Sequence, residues 1–485
     1  MRSPPKKRGR KIAPLAIAAR LNARVMLEAQ ADGSIAACFD GYSAGLGKFS
    51  ADAIDRAQGL RAGLPFDRFA RGSGNADEEI DLMVRRLGRR GLLEYRLGDR
   101  SGKKDRVVIE PQLADYWPQA SKLSASDTIV LSRFAYLRRR GNDMILESPR
   151  AGALFKVCDS KIAGAIAALA APQKISRLRR QAGFPGMELL GLLVDSKILF
   201  KIGGGDGRRA SEGDENLVLW DFHDLLFHTH STEGRQANPL GGLYPYADVI
   251  APPPAVRPHW PGKNIDLKPF SVAAAETISP YAKLVRQRHS IREFDDQQPI
   301  TLTELAKFLE STARVQSHWT SKLDFDGDGP DIDYTTRPYP AAGSAYELEL
   351  YLAVANCEGL ERGFYHYDAD QHALAPIGAG APELGLLFQG AEYAMDVAAP
   401  PQILITIAAR FNRISWKYSA IAYSLILKDV GVLIGMLYMM ATDMGLGGCA
   451  IGTSNIDLFA KMTGIDFHIE GPVGQFALGR GAKPA

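Results

Sequence analysis

Strand-like and helical patterns of apolar residues occur twice, in the same order, within the first 205 residues. The first stretch runs from ARVMLEAQADGSIAACF to EEIDLMVRRLGRRGLLEYRL, and the second runs from SRFAYLRRRGNDMILES to MELLGLLVDSKILFKI. Each stretch begins with two strand-like runs around a turn, at Asp32-Gly33 and at Gly141-Asn142. Helical spacing follows, and a short apolar strand ends each stretch. This order predicts a small winged-helix-like α+β module in each stretch.

Equal spacing relates the ends of the two stretches. Leu87 matches Leu193 and Leu93 matches Leu199, in both cases 106 positions later along the chain. Arg24 matches Arg133 at 109 positions, a difference that a short loop insertion explains. The sequence therefore predicts a duplicated pair of modules, one over residues 1–105 and the other over residues 106–205.

The remaining chain divides into a connecting segment and a larger domain. Residues 203–216 are Gly-rich and charged, which is typical of a flexible linker or surface loop. The following stretch is rich in proline and aromatic residues with few periodic runs, so residues 206–276 are predicted to form a linker and an extended arm that packs over another surface. Helical and strand patterns then alternate from 277 to 485, which predicts one α/β or α+β domain.

Composition excludes several classes of protein. The 485 residues are 46% hydrophobic and 23% charged, unlike collagen-like, low-complexity or wholly disordered chains. Four cysteines lie far apart, which argues against a disulfide scaffold or a zinc ribbon and fits a reducing compartment. No metal site is predicted. The four are Cys38, Cys158, Cys357 and Cys449.

Charge and hydropathy indicate a soluble, cytoplasmic protein with no nucleic-acid or membrane partner. The net charge is +3, from 58 basic and 55 acidic residues, so no global field favours DNA or an anionic surface. A basic N-terminal segment, MRSPPKKRGRK, is interpreted as a solvated terminus. The longest apolar stretch, residues 430–442, is shorter than the roughly 18 residues that indicate a membrane span, and predicts a buried core helix.

Several segments of the C-terminal domain carry candidate chemistry. In RHSIREF, the guanidiniums of Arg288 and Arg292 flank the hydroxyl of Ser290, a donor set that suits a phosphate monoester. The alternative is a pair of arginines at a helix end in solvent. Gly447 and Gly448 lie in MGLGGCAIGTSN, where glycines either admit a flat ring or a phosphate or form a helix end and a buried turn.

Two further segments are also open to two interpretations. A small-residue loop in RPYPAAGSAYELELYLAVAN precedes a strand-like run, and it either lies against an aromatic cofactor or simply leads into a buried strand. Arg480, in the final FALGRG, provides another phosphate contact or is an ordinary exposed cation. The loop residues are Pro340, Ala341, Ala342, Gly343 and Ser344.

Taken together and in this order, these segments resemble the FMN-dependent nitroreductase superfamily, and further motifs resemble its SagB-type azoline dehydrogenases. The further motifs are WDFHDLLFHTHSTEGR, the Gly241-Gly242-x-Tyr244 step, RPYPAAG with Ala341 where Ser is common, and GFYHYDADQHAL. The resemblance covers residues 217–485. It implies a nitroreductase-like α+β domain with a central mixed or antiparallel sheet and an FMN cofactor. The residues that it assigns to FMN are Arg288, His289, Ser290, Arg292, Pro340, Ala341, Ala342, Gly343, Ser344, Gly447, Gly448 and Arg480.

The resemblance also implies an activity. It assigns catalysis to the adjacent Lys417 and Tyr418, either of which is the base, although the residues alone also fit a snorkelling Lys and an amphipathic Tyr at a helix start. Azoline dehydrogenases convert thiazolines or oxazolines of a ribosomally made precursor peptide into thiazoles or oxazoles, with dioxygen as final acceptor. A lysine that is partly desolvated beside Arg410 and Arg413 is expected to serve as a base.

Partners follow from the same resemblance. It implies a homodimer with FMN at its interface, the 340–344 loop coming from the partner subunit, and association with a YcaO-type cyclodehydratase. The N-terminal modules resemble the peptide clamps, or RiPP recognition elements, of cyanobactin-type oxidases. The alternatives are packing on a partner enzyme or, given Arg85, Arg86, Arg89 and Arg90, a DNA-reading module that the near-neutral charge disfavours. For the whole protein, the alternatives are an NAD(P)H-dependent nitro- or quinone reductase and a non-catalytic scaffold.

Overall fold

The computed structural model describes two compact units. It describes residues 16–482 except 31, 40–41, 66–74, 99–103, 114–115, 182, 204–210, 235–241, 243, 245, 273–277 and 324–328. Unit 1 comprises residues 1–230 and 234–237, and unit 2 comprises residues 231–233 and 238–485. The basic N-terminal segment, Gly241 and half of the Gly-rich linker lie outside the described residues.

Unit 1 consists of short antiparallel sheets and helices. Its strands are β1 (Ala16–Leu21), β2 (Met26–Ala29), β3 (Ser34–Phe39), β4 (Tyr42–Lys48), β5 (Leu64–Pro65), β6 (Leu93–Gly98), β7 (Asp105–Pro111), β8 (Thr128–Leu131), β9 (Tyr136–Arg140), β10 (Asp143–Glu147), β11 (Ala153–Val157), β12 (Gln173–Lys174) and β13 (Leu199–Lys201). Its helices are α1 (Ala51–Ala57), α2 (Asn75–Gly88), α3 (Ser160–Ala167), α4 (Ile175–Leu178), α5 (Met187–Asp195) and α6 (Phe222–Ser231).

Two stretches of unit 1 have the same order of elements. Strand β1 lies between β5 and β6, and β8 lies between β12 and β13 in the same way. A three-stranded meander follows each, β2-β3-β4 and β9-β10-β11. Leu87 and Leu193 lie in α2 and α5, and Leu93 and Leu199 begin β6 and β13. The winged-helix assignment and the module boundaries stay predictions; the proposed boundary at 105/106 falls at the start of β7.

Strand β7 joins the two stretches into one body. The largest sheet has the order β5-β1-β6-β7-β11-β10-β9, so it contains strands of both stretches. One hydrophobic core includes Ala19 and Leu87 from the first stretch and Phe155 and Leu193 from the second. Burying this apolar surface from both stretches together stabilises them as a unit.

The predicted extended arm is corrected at its beginning, where the chain is helical. Helix α6 buries Leu225, His228 and Thr229, which recur at helical spacing. The Trp220 ring stacks on the His228 ring with centroids 5.9 Å apart, and the Phe222 ring meets Tyr136 edge-on at 5.8 Å. Aromatic packing therefore fixes this part of the arm as a helix of unit 1.

Unit 2 is an α+β domain around an antiparallel sheet, as the sequence predicts. The sheet has the order β20-β19-β17-β21-β23-β22. The strands of unit 2 are β14 (Ile300–Thr301), β15 (Ser317–Lys322), β16 (Asp331–Thr336), β17 (Leu348–Val354), β18 (Cys357–Glu358), β19 (Gly363–Asp368), β20 (Ala373–Ile377), β21 (Ile403–Arg410), β22 (Gly447–Ile451) and β23 (Glu470–Gly479). Its helices are α7 (Lys268–Val272), α8 (Pro280–Gln287), α9 (Leu302–Ala313), α10 (Ala381–Met395), α11 (Phe411–Ser415), α12 (Ala422–Asp443) and α13 (Ile456–Thr463).

Helix α12 is the longest in the described chain and is only partly buried. Its buried side chains recur at helical spacing, at Ala422, Tyr423, Ile426, Asp429, Val430, Leu433, Leu437 and Ala441. By length and composition it passes the test for a membrane-crossing helix, and 33% of its most apolar window is buried. A single helix of this kind is weak evidence of a membrane span, since core helices of soluble proteins meet the same criteria. Helix α12 is longer than residues 430–442, the apolar stretch from which the sequence predicts a buried core helix.

Unit 2 also carries an exposed apolar segment ahead of its first long helix. Within residues 244–270, large hydrophobic side chains are mostly exposed, including Trp260 at 71% and Ile265 at 86%. Several exposed hydrophobic side chains in one segment indicate a candidate interaction surface. From residue 246 onward, turns and irregular backbone lead to the short helix α7, and the packing of this predicted arm over another surface stays a prediction.

The Gln402 side chain connects the beginning and the end of unit 2. It is fully buried, and its Nε2 donates to the carbonyl of Asp295 at 2.7 Å. Its Oε1 accepts the backbone N–H groups of Ile300 at 2.8 Å and Arg480 at 2.9 Å. One amide thus satisfies several backbone groups that the surrounding apolar core would otherwise leave unpaired.

Replacing Gln402 with leucine is expected to destabilise unit 2 by about 2–4 kcal/mol, because the N–H groups of Ile300 and Arg480 lose their acceptor. The free energy of unfolding is measured by urea denaturation, with hydrogen exchange of the β21 and β23 amides as the probe of unit 2. The control is Gln371→Leu at an exposed position, which is expected to change the free energy of unfolding by no more than about 0.5 kcal/mol. Equal effects of the two substitutions would contradict this role for Gln402.

Candidate functional site

Residues 288–292, the Arg-Ser-Arg segment, lie directly after α8 and beside the edge strand β22. The N–H of Ile291 donates to the carbonyl of Gly448 at 2.9 Å. Phe294 forms an antiparallel bridge with Gly481. Arg288, His289 and Arg292 are exposed, and Ser290 is half-buried. The structure thus places this segment between two backbone partners, with its cationic side chains in solvent.

Tyr438 of α12 connects the Arg-Ser-Arg segment to β22. Its hydroxyl lies 2.9 Å from Ser290 Oγ and accepts the N–H of Ala450 at 2.8 Å. The Arg288 guanidinium lies 5.2 Å from the centroid of the Tyr438 ring, within cation–π range. Sequence reasoning missed this tyrosine, because a single aromatic residue on an apolar helix gives no signal by itself.

Internal packing explains why positions 447 and 448 are occupied by glycine. A Cβ on Gly447 would lie 2.8 Å from the side chain of Ile291, and one on Gly448 would lie 2.4 Å from the buried Phe476 ring. Both distances are shorter than van der Waals contact. The glycines therefore allow the Arg-Ser-Arg segment and the Phe476 ring to approach β22, and their predicted contact with a cofactor stays a prediction.

Arg480 forms an ion pair within the chain. Its Nη2 lies 2.8 Å from both carboxylate oxygens of Glu304. Glu304 also completes a capping box with Thr301 at the start of α9. The guanidinium is therefore engaged by a carboxylate through Nη2, and its predicted contact with the phosphate of a cofactor stays a prediction.

The 340–344 loop contains two consecutive residues in the left-handed region. Gly343 has φ 56° and Ser344 has φ 54° within a single 3-10 turn, Ala342–Ser344. The N–H of Ala342 donates to Asp429 Oδ2 on α12 at 2.8 Å. The Arg413 Nε donates to the carbonyl of Ala345 at 2.9 Å. Two charged side chains from neighbouring helices therefore fix this loop.

Lys417 and Tyr418 lie against the same loop. The Lys417 Nζ donates to the carbonyl of Gly343 at 3.0 Å and lies 5.6 Å from the Tyr334 ring centroid. A Cβ on Gly343 would come within 2.4 Å of the Tyr418 hydroxyl and 2.6 Å of Lys417 Nζ. The structure thus brings the two predicted catalytic residues against the loop. Lys417 and Gly343 are 74 positions apart in sequence.

Two details of the Lys417 prediction are corrected. The residue does not begin the long helix: α11 ends at Ser415 and α12 begins at Ala422. Ala420, with φ 59°, interrupts helical geometry between them. Lys417 is also exposed in this chain, whereas the sequence analysis expects partial desolvation.

A buried pair of carboxyl groups, Glu347 and Asp429, lies beside this loop. Glu347 is 0% exposed and Asp429 is 6% exposed. Burial raises the pKa of Glu347 to about 7, with the neighbouring Asp429 adding to the shift, and burial also raises the pKa of Asp429. The sequence analysis did not identify either residue. An acidic residue inside an apolar helix was the available signal for Asp429.

The predicted site residues form two groups on different sides of α12. Asp429 contacts the 340–344 loop, and Tyr438 contacts the Arg-Ser-Arg segment. They are nine positions apart, which corresponds to about 13 Å along the axis and about half a turn around it. A single chain therefore does not assemble both groups around one point on α12.

A cleft of about 750 Å³ opens at the C-terminal end of β22. Its lining includes Ala450, Ile451 and Thr453, together with Glu392 and Asp396 from the end of α10. Glu233 also faces it, and burial raises the pKa of this carboxyl. Strand β22 thus links the Arg-Ser-Arg segment to this cleft.

Comparisons with known proteins identify two regions. Residues 285–480 match the model described as "Nitroreductase family", and residues 129–237 match the model described as "Cyanobactin oxidase ThcOx". The Methanocaldococcus jannaschii protein MJ1384, named as a nitroreductase, is 30% identical over 168 residues. That alignment covers 34% of this chain and 75% of the archaeal protein.

Solved structures give weaker matches. The E. coli microcin synthetase McbBCD complex with truncated pro-MccB17 bound is 18% identical, with 56% of this chain and 97% of that chain covered and a TM-score of 0.39. A Desulfovibrio desulfuricans protein named as a nitroreductase, in complex with FMN, is 14% identical, with 43% and 92% covered and a TM-score of 0.27.

The match to MJ1384 and the two family models confirm the family resemblance that the motifs indicate. The chain combines a cyanobactin oxidase ThcOx region with an oxidoreductase domain, and it belongs to the nitroreductase family.

Proposed function

We propose that this protein is an FMN-dependent azoline dehydrogenase, which oxidises thiazolines or oxazolines in a ribosomally made precursor peptide to thiazoles or oxazoles. The observation that carries the proposal is the packing of Lys417 and Tyr418 against the 340–344 loop, in a nitroreductase-family domain. The ThcOx match at residues 129–237 supports a peptide substrate, because that model describes an oxidase of cyanobactins.

The donors of the Arg-Ser-Arg segment fit the phosphate of FMN. Arg288 and Arg292 are exposed, and among the described residues no carboxylate forms an ion pair with either guanidinium. Ser290 adds a hydroxyl that Tyr438 already orients. Two guanidiniums and one hydroxyl provide forked and single donors for phosphate oxygens. When bound, FMN supplies the two-electron acceptor for oxidation of the ring.

Lys417 or Tyr418 serves as the base in this proposal. Aromatisation removes a proton from the former α-carbon of the ring and a hydride from the adjacent carbon, and dioxygen finally accepts two electrons and two protons. The hydrogen bond from Lys417 Nζ to Gly343 fixes the position of the amine. Since Lys417 is exposed, the abstracted proton has a route to solvent.

A homodimer would bring the two groups of site residues together. Between Asp429 and Tyr438, one face of α12 is exposed at Lys428, Gly431, Val432 and Gly435. If two copies of α12 pack antiparallel about a point near Leu433, then Asp429 of one copy lies level with Tyr438 of the other. The 340–344 loop of each subunit would then face the Arg-Ser-Arg segment of its partner.

Unit 1 is proposed to bind the precursor peptide. Strand β9 is an outer strand of the seven-stranded sheet, and Arg139 on it is exposed. An outer strand can accept an extended peptide through main-chain hydrogen bonds. A YcaO-type cyclodehydratase is the proposed enzyme that supplies the azoline.

Substituting Val432 with aspartate is expected to convert the dimer into a monomer and to release FMN in the same step, because a charge is buried at the subunit interface. Gel filtration with light scattering and the absorbance of the eluted flavin measure both effects. The control is Leu386→Asp, on an exposed part of α10. A wild-type protein that is monomeric and flavin-free at micromolar concentration contradicts the dimer proposal.

The double variant Arg288→Ala, Arg292→Ala is expected to raise the Kd for FMN by about 100-fold or more, because each charged hydrogen bond contributes about 1.5–3 kcal/mol. Fluorescence titration with FMN gives the Kd. Arg286→Ala, an exposed cation on α8, is the matched control and should bind FMN like the wild type. An unchanged Kd in the double variant would place the phosphate elsewhere.

Lys417→Ala and Tyr418→Phe are expected to retain FMN, and the substitution that removes the base should lower kcat for azole formation by about 10²–10⁴-fold. The assay is mass loss of two hydrogens from an azoline peptide. Lys307→Ala, on the exposed side of α9, should keep full activity.

Two results would support the alternatives. Azole formation that is unaffected in both Lys417 and Tyr418 variants would count against the base assignment and for a scaffold. Rapid bleaching of the bound flavin by NADH would favour a nitro- or quinone reductase.

A further inference from the structure

The Glu347 side chain is fully buried and has an unusual environment. It directly precedes β17, and no other described residue donates a hydrogen bond to either of its oxygens. The Asp429 carboxyl lies within hydrogen-bonding reach. Two carboxylates are both acceptors, so this contact becomes a hydrogen bond only when one of them carries a proton.

The groups around the pair favour retention of that proton. Arg337 is the nearest cation, but its Nη1 donates to the carbonyl of Leu348, and its Nη2 lies 4.0 Å from Glu349. Tyr339, which is 1% exposed, is also close. Removal of both protons would leave two buried negative charges beside a guanidinium that Leu348 and Glu349 already engage, which is costly.

The same carboxyl of Asp429 holds the 340–344 loop. Its Oδ2 accepts the N–H of Ala342, and the next residue, Gly343, accepts the hydrogen bond from Lys417. A change in the position of Asp429 therefore moves the loop surface on which Lys417 rests.

We propose that Glu347 and Asp429 share one proton, and that this hydrogen-bonded pair is a positioning device that holds the 340–344 loop against Lys417 and Tyr418. The shared proton is inferred from the burial of both carboxyls and from the lack of a donor from any other described residue to the Glu347 oxygens. Its importance for catalysis rests on the proposed azoline dehydrogenase function.

The pair makes the loop sensitive to pH. Burial raises the pKa of Glu347 to about 7, above the ordinary value for a glutamate, so the folded protein binds a proton that the unfolded chain has already released. The free energy of unfolding therefore falls as the pH rises from the ordinary glutamate pKa to about 7. Above that range the two charges repel each other, and the loop loosens.

Hydrogen exchange of residues 337–346 tests the pair without any assay of activity. After correction for intrinsic exchange, protection of the wild-type loop should fall roughly tenfold between about pH 6 and about pH 8.5. In Glu347→Gln, the amide donates to Asp429 without titrating, so protection should stay constant over the same range. Glu310→Gln, which removes an exposed carboxylate paired with Arg314, is the control and should follow the wild type.

Infrared spectroscopy provides a second readout that needs no well-folded variant. The wild type at about pH 6 should show the carbonyl stretch of a protonated buried carboxyl, and this band should disappear through about pH 7. Absence of the band, or wild-type loop protection that does not change with pH, overturns the proposal. A Glu347→Gln variant with the pH dependence of the wild type also overturns it.

Kinetics separate this inference from the proposed function. With an azoline peptide, the wild type should lose kcat above about pH 7 relative to Glu347→Gln, with KM unchanged, because the pair positions the loop and does not bind substrate. If the protein oxidises no azoline, the exchange and infrared results still decide whether the proton is shared.

Discussion

Helix α12 can bury only one of its faces within a single chain, and the site residues of unit 2 are arranged around this constraint. Its buried stripe packs on the domain, whereas Lys428, Val432 and two glycines remain exposed. Asp429 and Tyr438 lie at opposite borders of the exposed stripe and make the polar contacts to the two groups of site residues. The proposed homodimer would cover this exposed stripe, which includes Val432.

Polar contacts to α12 illustrate how few interactions position a site. The Tyr438 hydroxyl holds Ser290 and Ala450, and one Asp429 oxygen holds the amide of Ala342. Each contact lies at the border of an apolar core, where water competes poorly and a hydrogen bond is geometrically specific. Loop residues in left-handed geometry, such as Gly343 and Ser344, persist because such contacts hold them.

Apolar periodicity was informative because it reports burial directly. The equal spacing of Leu87 with Leu193 and of Leu93 with Leu199 corresponds to equivalent helices and strands in unit 1. Apolar periodicity did not predict the element correctly where the helix breaks at a residue that does not change the apolar pattern, or where the pattern is hard to recognise. Ala420 separates Lys417 from α12 in this way, whereas α6 is a helix within a segment whose aromatic content concealed its periodicity.

The sequence by itself determined the α+β class, the repeated order in unit 1 and the motifs that identify the nitroreductase family, because these depend on residue type and spacing along the chain. Only the tertiary structure decided that Arg480 pairs with Glu304, that Lys417 lies on Gly343, and that Glu347 faces Asp429. These contacts join residues 74 to 176 positions apart. Local patterns carry no information about such pairs, because packing of distant elements brings them together and sets the burial that shifts the pKa of Glu347.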